Sequence, residues 1–191
     1  MIEFAQNHSF FKSVWGCLVK RDLLLQNGLQ FEKQSIGEDC IFWMRLFEAV
    51  PKARLLATTL NIYRYVVHEE SVINSFNTKR SKYAIDALIS SFEKIYQMRN
   101  VSVYPKERYD EQIKGFQRVV FVRLVTTRLS LPYIKEAIKK AYEVGFYPPV
   151  SAKSKLEKNI VFFTKHPVLM WLISMPLSLL FPLVKPFVPR N

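Results

Sequence analysis

Two adjacent carboxylic acids, Glu38 and Asp39, directly follow Gly37 at the predicted start of a helix. A free aspartate titrates near about 4, so we expect the pair to be ionised at neutral pH and able to accept a proton. The positive end of the helix dipole favours that ionised form. Asp and Glu are also common in first helical turns for dipole reasons alone. The residue types therefore allow either a proton acceptor or an ordinary helix cap.

The segments around this pair alternate short apolar runs with turn signals. Residues 12–20 are predicted as a strand or a buried connector, and the KRDLLLQNGL stretch as a short helix stopped by Asn27 and Gly28. The next helix should begin at Glu38 or Asp39 and stop before Pro51. Its apolar face is formed by Cys40, Trp43, Phe47 and Val50. Residues 53–67 predict one or two strands, and residues 68–76 a loop.

Three longer helical patterns follow. They run from Thr78 to Arg99, from about Lys106 to Ser130, and from Pro132 to Val144, where Gly145 stops the last. The apolar face of the first is formed by Tyr83, Ala87, Leu88, Phe92, Ile95 and Tyr96. That of the second is formed by Ile113, Phe116, Val120, Leu124 and Thr127. Together they predict a small helical bundle.

The charge is unevenly distributed along the 191 residues. Residues 1–75 contain 8 basic and 8 acidic side chains, residues 76–150 contain 14 and 7, and residues 151–191 contain 6 and 1. A chain of 191 residues is long enough for one full domain or two small ones. Because 49% of its residues are hydrophobic, wholesale disorder is excluded. The charge pattern predicts specific chemistry in the front of the chain and an anionic partner for the rear.

The rear ends in an apolar segment of unusual composition. Residues 167–184 form a run of 18 without a charge, which as a straight helix spans about 27 Å against about 30 Å for a bilayer core. Prolines at 167, 176, 182, 186 and 189 argue against an uninterrupted helix. We therefore expect this tail to lie in a membrane interface, with a true span and packing into a protein core as alternatives.

No self-contained catalytic motif accompanies these features. The sequence contains no GxGxxG, P-loop, GxSxG, HExxH or Asp-x-Asp pattern. His8, His68 and His166 are too scattered for a triad or a metal cage, and Cys17 and Cys40 support neither a disulfide framework nor a zinc site. The cysteine usage and the absence of a secretory signal behind Met1 predict a reduced, cytosolic setting.

What remains is an ordered set of weaker elements. Trp15 and KRDLL come first, then Gly28 and Phe31, then Gly37-Glu38-Asp39, then NIYRY at 61–65, and finally Ser71. In this order they resemble the second, acceptor-side half of family 2 glycosyltransferases, the inverting nucleotide-sugar enzymes of GT-A fold. The resemblance covers roughly residues 10 to 75.

The resemblance implies a fold and a domain plan. We expect an α/β fragment, a partial GT-A-like domain with few strands, over residues 1–75. A helical extension over 76–150 and a basic, proline-broken, membrane-associating tail over 151–191 should make the chain predominantly helical overall. By the same resemblance Asp39 is the candidate catalytic base that deprotonates an acceptor hydroxyl, and Glu38 orients the acceptor or tunes the base.

The resemblance also suggests substrate contacts, each with a plainer alternative. Arg64 is a candidate to neutralise the donor diphosphate through its planar fork, or it is an exposed strand charge. His68 and Ser71 are candidates for phosphate or sugar contacts, or they belong to a surface loop beside Glu69 and Glu70. Trp15 either stacks on a sugar ring or is buried in the core. Trp43 lies on the apolar helix face and is expected in the core.

The family's nucleotide-binding strands and Asp-x-Asp metal site have no counterpart in this sequence. We therefore expect that the chain is part of an inverting glycosyltransferase and needs an N-terminal nucleotide-binding half. A divalent metal, Mg or Mn, is expected only in that half, and no cofactor is expected in this chain itself. The expected partners are a nucleotide-sugar donor, a glycan or lipid-linked acceptor and an anionic membrane surface, with no nucleic acid. The expected location is the cytoplasmic, inner face of a membrane, as a peripheral protein.

Two other functions compete with this one. The chain could be a non-enzymatic basic membrane adaptor in which residues 78–150 bind a protein partner. Nucleic-acid binding is a third hypothesis, since Arg118, Arg123 and Arg128 accompany aromatic residues in the middle segment. The third lacks any known nucleic-acid motif.

Overall fold

The computed structural model describes residues 14, 16–33, 36–52, 54, 77–149 and 152–184, the side chains of 181–184 excepted. In this part of the chain the helices are α1 (Arg21–Gln26), α2 (Glu38–Ala49), α3 (Thr78–Val101), α4 (Lys106–Thr126), α5 (Leu131–Glu143), α6 (Lys155–Lys165) and α7 (Pro167–Val184). These residues are 73% helical and contain no strand, which confirms a predominantly helical class. The α/β fragment is not shown, because the predicted strands at 53–67 lie outside the described residues apart from Arg54.

The segment before α1 differs from its prediction as a strand or buried connector. Its described residues form a turn, closed by the Cys17 N–H donating to the Val14 carbonyl at 3.3 Å. The turn contains Gly16 at φ +73°, a left-handed conformation that glycine adopts readily. The side chain of Leu18 is 93% exposed, so this residue contributes nothing to a core.

The short helix α1 ends where the sequence predicted. The Asn27 side chain donates to the Leu23 carbonyl at 2.8 Å, and Gly28 takes φ +58°. This left-handed glycine lets the Leu29 N–H reach back to the Leu24 carbonyl at 2.9 Å. The contact satisfies a carbonyl that the helix end would otherwise leave open.

Helix α2 is confirmed at both ends, but it is buried more completely than the predicted single face. Cys40, Trp43 and Phe47 are buried as expected, whereas Val50 is half-buried. Four further side chains are also buried: Ile41, Phe42, Met44 and Leu46. A helix that is apolar nearly all round belongs inside a core, so α2 is a central element of its unit.

The three predicted bundle helices are present as α3, α4 and α5. The whole predicted face of α4 is buried, whereas Tyr83 and Tyr96 on the α3 face are nearly half exposed. Helix α4 stops at Thr126 rather than Ser130, because Ser130 caps α5 in an extended conformation and Pro132 occupies the first turn of α5. Gly145 follows α5 at φ +75°, as predicted.

The tail contains two helices, and its prolines act differently from one another. Pro167 follows a break at His166, and the axes of α6 and α7 are bent by 116° there. Helix α7 continues through Pro176 and Pro182, so the expectation that the prolines prevent an uninterrupted helix is wrong for residues 167–184, while Pro186 and Pro189 lie outside the described residues. Met170 and Ser174, one turn apart, are buried, and α7 packs against α5 and α6.

In the described part of the chain, no helix taken alone has the length and hydropathy of a membrane span. Helices α6 and α7 satisfy that test only as a bent pair.

The chain divides into two compact units that are each discontinuous in sequence. The first is formed by Met1–Val67 and Ser90–Ile113, and the second by His68–Ile89 and Lys114–Asn191. Helices α1 and α2 belong to the first unit, and α5, α6 and α7 to the second. The Glu38–Asp39 pair and every contact that holds α2 are therefore described within the first unit.

Candidate active site at the start of a buried helix

The local sequence explains why Glu38 and Asp39 lie at a helix terminus. Gly37 precedes them at φ +82°, and its carbonyl accepts the Ile41 N–H at 3.1 Å, which closes the first turn of α2. The apolar residues that follow are buried, so the helix axis is fixed by packing. Both carboxylates are therefore carried at the edge of a rigid element.

The carboxylate of Asp39 is half-buried and held by a distant backbone group. Its Oδ2 accepts the Val14 N–H at 3.3 Å, across 25 positions of sequence. Partial burial raises the pKa of the Asp39 carboxyl above its ordinary value, and the Val14 hydrogen bond opposes that rise. A carboxylate with a raised pKa is a stronger proton acceptor than a free aspartate.

Glu38 lies beside it and is half-buried as well. Burial raises the pKa of the Glu38 carboxyl, and the neighbouring Asp39 charge raises it further. From the sequence we expect an ordinary aspartate pKa and an ionised form favoured by the helix start, whereas burial raises the pKa of Asp39. For both carboxyls the effect of burial exceeds that of the opposing backbone hydrogen bond, so the pKa is raised, which is the direction a catalytic base needs.

The segment from Gly28 to Glu32 contacts α2 through an aromatic stack and a cluster of ion pairs. The Phe31 ring stacks on Phe42, with centroids 4.3 Å apart and planes inclined by 13°. Beside it the Glu32 carboxylate receives Arg45 at 2.6 Å and Lys94 at 2.9 Å. The Lys94 hydrogen bond is the main cause that lowers the pKa of Glu32, so the carboxylate stays charged and the segment stays attached.

The far end of α2 is held by hydroxyl donors. The Tyr104 hydroxyl donates to the Phe47 carbonyl at 3.0 Å, while Ser102 and Tyr109 donate to the Glu48 carboxylate. Burial, with the Glu48 charge, raises the pKa of Tyr104 to about 12, so it remains a donor. With contacts at both ends, α2 cannot easily shift along its axis.

Other reactive groups near the pair are poor candidates for chemistry. Cys40 is buried, and burial together with the Asp39 charge raises the pKa of its thiol to about 12, which excludes a thiolate nucleophile at neutral pH. Among the residues that the structure describes, no cluster of three or more His, Cys, Asp or Glu side chains could hold a metal ion.

The remaining predicted site residues lie outside the described part of the chain; they are Trp15, Arg64, His68 and Ser71. Trp43 is 3% exposed, in agreement with its expected place in the core. The Val14 amide could not be predicted from the sequence, because a backbone donor has no residue signature. The pairing of Glu32 with Arg45 and Lys94 could not be predicted either, because charged pairs distant in sequence cannot be matched without the fold.

Comparison with protein-family models, with curated proteins and with solved structures found no match for this chain.

Proposed function

We propose that this chain supplies the acceptor-activating part of an inverting glycosyltransferase, with Asp39 as catalytic base. The observation that carries the proposal is the half-buried Asp39 carboxylate at the start of α2, oriented by the Val14 N–H and with a raised pKa. The order of α1, the left-handed Gly28, Phe31 and the Gly37-led start of α2 supports it as well. The proposal includes a partial GT-A-like sheet that uses the strands predicted at 53–67.

In the proposed step the acceptor hydroxyl attacks the anomeric carbon of a nucleotide sugar. An oxygen of Asp39 takes the hydroxyl proton while the new carbon–oxygen bond forms. The bond from that carbon to the diphosphate oxygen breaks, and its electron pair leaves with the nucleoside diphosphate. Attack from the face opposite the leaving group inverts the anomeric configuration.

The other residues and partners have assigned places in this proposal. Glu38 orients the acceptor, Arg64 faces the diphosphate, and Trp15, His68 and Ser71 contact sugar or phosphate. Because the sequence lacks an Asp-x-Asp pair, the divalent metal and most of the donor contacts are assigned to an N-terminal nucleotide-binding half, carried either on a longer chain or on a partner. The acceptor class is a lipid-linked sugar or a growing polysaccharide at the cytoplasmic face of a membrane.

The test is made in the source organism, so that any nucleotide-binding half that the chain requires is supplied there. Membranes from a strain lacking the gene are compared with membranes complemented by wild type, Asp39→Asn or Asp22→Asn. Asp22 is the matched control, because it is an exposed aspartate in the first turn of α1. Sugar incorporation into lipid and polymer fractions is measured from labelled UDP-glucose, UDP-N-acetylglucosamine and GDP-mannose.

We expect deletion to reduce incorporation from one donor. Wild type and Asp22→Asn should restore it, and Asp39→Asn should restore at most about 1% of it, since positioned general bases typically contribute about a hundredfold or more. Full restoration by Asp39→Asn, or no effect of deletion on any donor, would overturn the proposal. Either result favours the non-enzymatic adaptor.

A further inference from the structure

Helix α6 separates its side chains into an anchored face and a cationic face. Glu157, Ile160 and Thr164 recur at helical spacing and are buried. On the opposite side Lys155, Lys158, Phe162 and Lys165 follow the same spacing and are exposed. The second face is therefore directed away from the core of its unit.

Glu157 is the only acidic residue of 151–191, and its charge is compensated by hydrogen bonds and an ion pair within the fold. Glu157 caps α6 through the Ser154 and Lys153 backbone N–H groups, both at 2.9 Å from Oε2. Its other oxygen receives Arg118 at 3.1 Å. These bonds lower the pKa of Glu157 to about 2, so it stays ionised and turned inward. The outer face of α6 therefore carries lysines and no acidic side chain.

Helix α7 exposes an apolar stripe without any charge. Leu169, Leu172, Pro176 and Leu180 are spaced at three or four residues and all are exposed. Leu172 is 54% exposed and Leu179 is 71% exposed. Exposed leucines repeated along one helix face mark an interaction site rather than ordinary surface scatter.

The two faces meet at the break between the helices. An open groove is lined there by Phe162 and Lys165 of α6, by His166 at the break, and by Val168, Leu169 and Leu172 of α7. Lys165 on one side of this groove and the leucines on the other, with Lys155 and Lys158 further along the exposed face of α6, match the order of a bilayer surface, with phosphates outside and acyl chains beneath.

We propose that the outer faces of α6 and α7 form one docking surface for an anionic lipid membrane. The chain lies in the interface, with Phe162, Leu172, Leu179 and Leu180 among the acyl chains and Lys155, Lys158 and Lys165 at the phosphates. The occupant is identified by charge complementarity with these lysines together with the uncharged length of α7. This inference goes beyond glycosyl transfer, and its test requires neither donor nor acceptor.

The test is co-sedimentation of the full chain with vesicles of phosphatidylcholine, alone or with about 30 mol% phosphatidylglycerol. Leu179→Asp is compared with Val103→Asp, because Val103 is 67% exposed in a loop of the first unit and receives the same change. A triple Lys155→Gln, Lys158→Gln, Lys165→Gln variant tests the charge. Circular dichroism of each variant checks the helical content, which should not change because all of these positions are exposed.

Wild type and Val103→Asp should sediment with the anionic vesicles and much less with the neutral ones. Leu179→Asp should weaken partition at least tenfold. The triple variant should weaken it about a hundredfold at low salt, since each lysine near an anionic surface contributes about fivefold. Equal partition of Leu179→Asp and Val103→Asp, or no binding to either vesicle, would overturn the proposal. Resistance of the bound protein to alkaline carbonate would overturn it in favour of a span.

Discussion

The Val14 N–H donates to Oδ2 of Asp39 at 3.3 Å, so a backbone amide from the segment before α1 orients the carboxylate that opens α2. An amide donor is neutral, so it fixes the direction of the carboxylate and adds no positive charge of its own. Direct ion pairing would lower the pKa and weaken the base, whereas at Asp39 the pKa is raised by burial. The contact thus combines orientation with basicity.

The first prediction concerns stability. Because the folded-state pKa of Asp39 is raised, its ionisation in the fold is unfavourable, and stability falls as pH rises through that pKa. Asp39→Asn removes the charge and can keep the Val14 hydrogen bond, so it should raise the melting temperature at pH 7 by about 1–3 °C. The gain should disappear as the pH falls below about 4, the ordinary pKa of aspartate, since the carboxyl is then protonated in both the folded and the unfolded chain. Thermal unfolding followed by circular dichroism measures both values.

This measurement also separates the two interpretations of the carboxylate pair. If Asp39 were only a stabilising first-turn residue, Asp39→Asn would lower stability at pH 7 by several tenths of a kcal/mol. The Asp22→Asn variant, in the first turn of α1, provides the comparison for a helix-dipole effect alone.

The second prediction concerns the pH dependence of transfer. The base must be ionised to accept a proton, so the rate should decrease on the acid side with the pKa of Asp39. Since that pKa is raised, the acid limb should lie above pH ~4, the ordinary value for aspartate. Initial rates of labelled-sugar incorporation in complemented membranes, measured over pH 4 to 8, locate the limb. An acid limb at or below the ordinary value contradicts the proposed environment.

The third prediction concerns the attachment of α6. Glu157 has its pKa lowered to about 2, first by the Ser154 backbone hydrogen bond, with Arg118 adding to it. Its stabilisation is therefore complete above the ordinary glutamate pKa and is lost as pH falls towards about 2. Glu157→Gln should reduce the free energy of unfolding by about 1–3 kcal/mol at pH 7 and by roughly half as much at pH 3, where the carboxyl is already partly protonated in the unfolded chain.

Urea unfolding at the two pH values tests this, with Glu136→Gln as an exposed control on α5. A loss for Glu157→Gln that is equal at pH 7 and pH 3 contradicts the role of its charge.

The helices were predictable where local signals agree with burial. Gly28 and Gly145 marked helix ends through left-handed conformations, and the spacing of Ile113, Phe116, Val120 and Leu124 identified the buried face of α4. At Pro176 the sequence rule fails, because a proline removes one backbone donor and α7 tolerates that loss while it packs against α5 and α6. Local rules cannot weigh such a loss against tertiary packing.

The candidate site was only partly predictable for a related reason. The position of Glu38 and Asp39 at a helix start follows from local sequence, and the structure confirms it. The direction of their pKa shifts depends on what buries them, and the Glu32 cluster joins Arg45 to Lys94, which is 62 positions away from Glu32. These properties arise from the folded arrangement and leave no trace in residue spacing.

The most direct test of Asp39 as the base is chemical rescue of transfer by a small carboxylate. Asp39→Ala removes the carboxylate and leaves room beside the start of α2. In complemented membranes and chloride buffer, the initial rate of this variant should be at least about a hundredfold below that of wild type. Sodium formate should raise the rate of the variant at least about tenfold. Formate should leave wild type and Asp22→Asn unchanged. A wild-type rate for Asp39→Ala in chloride would contradict the account.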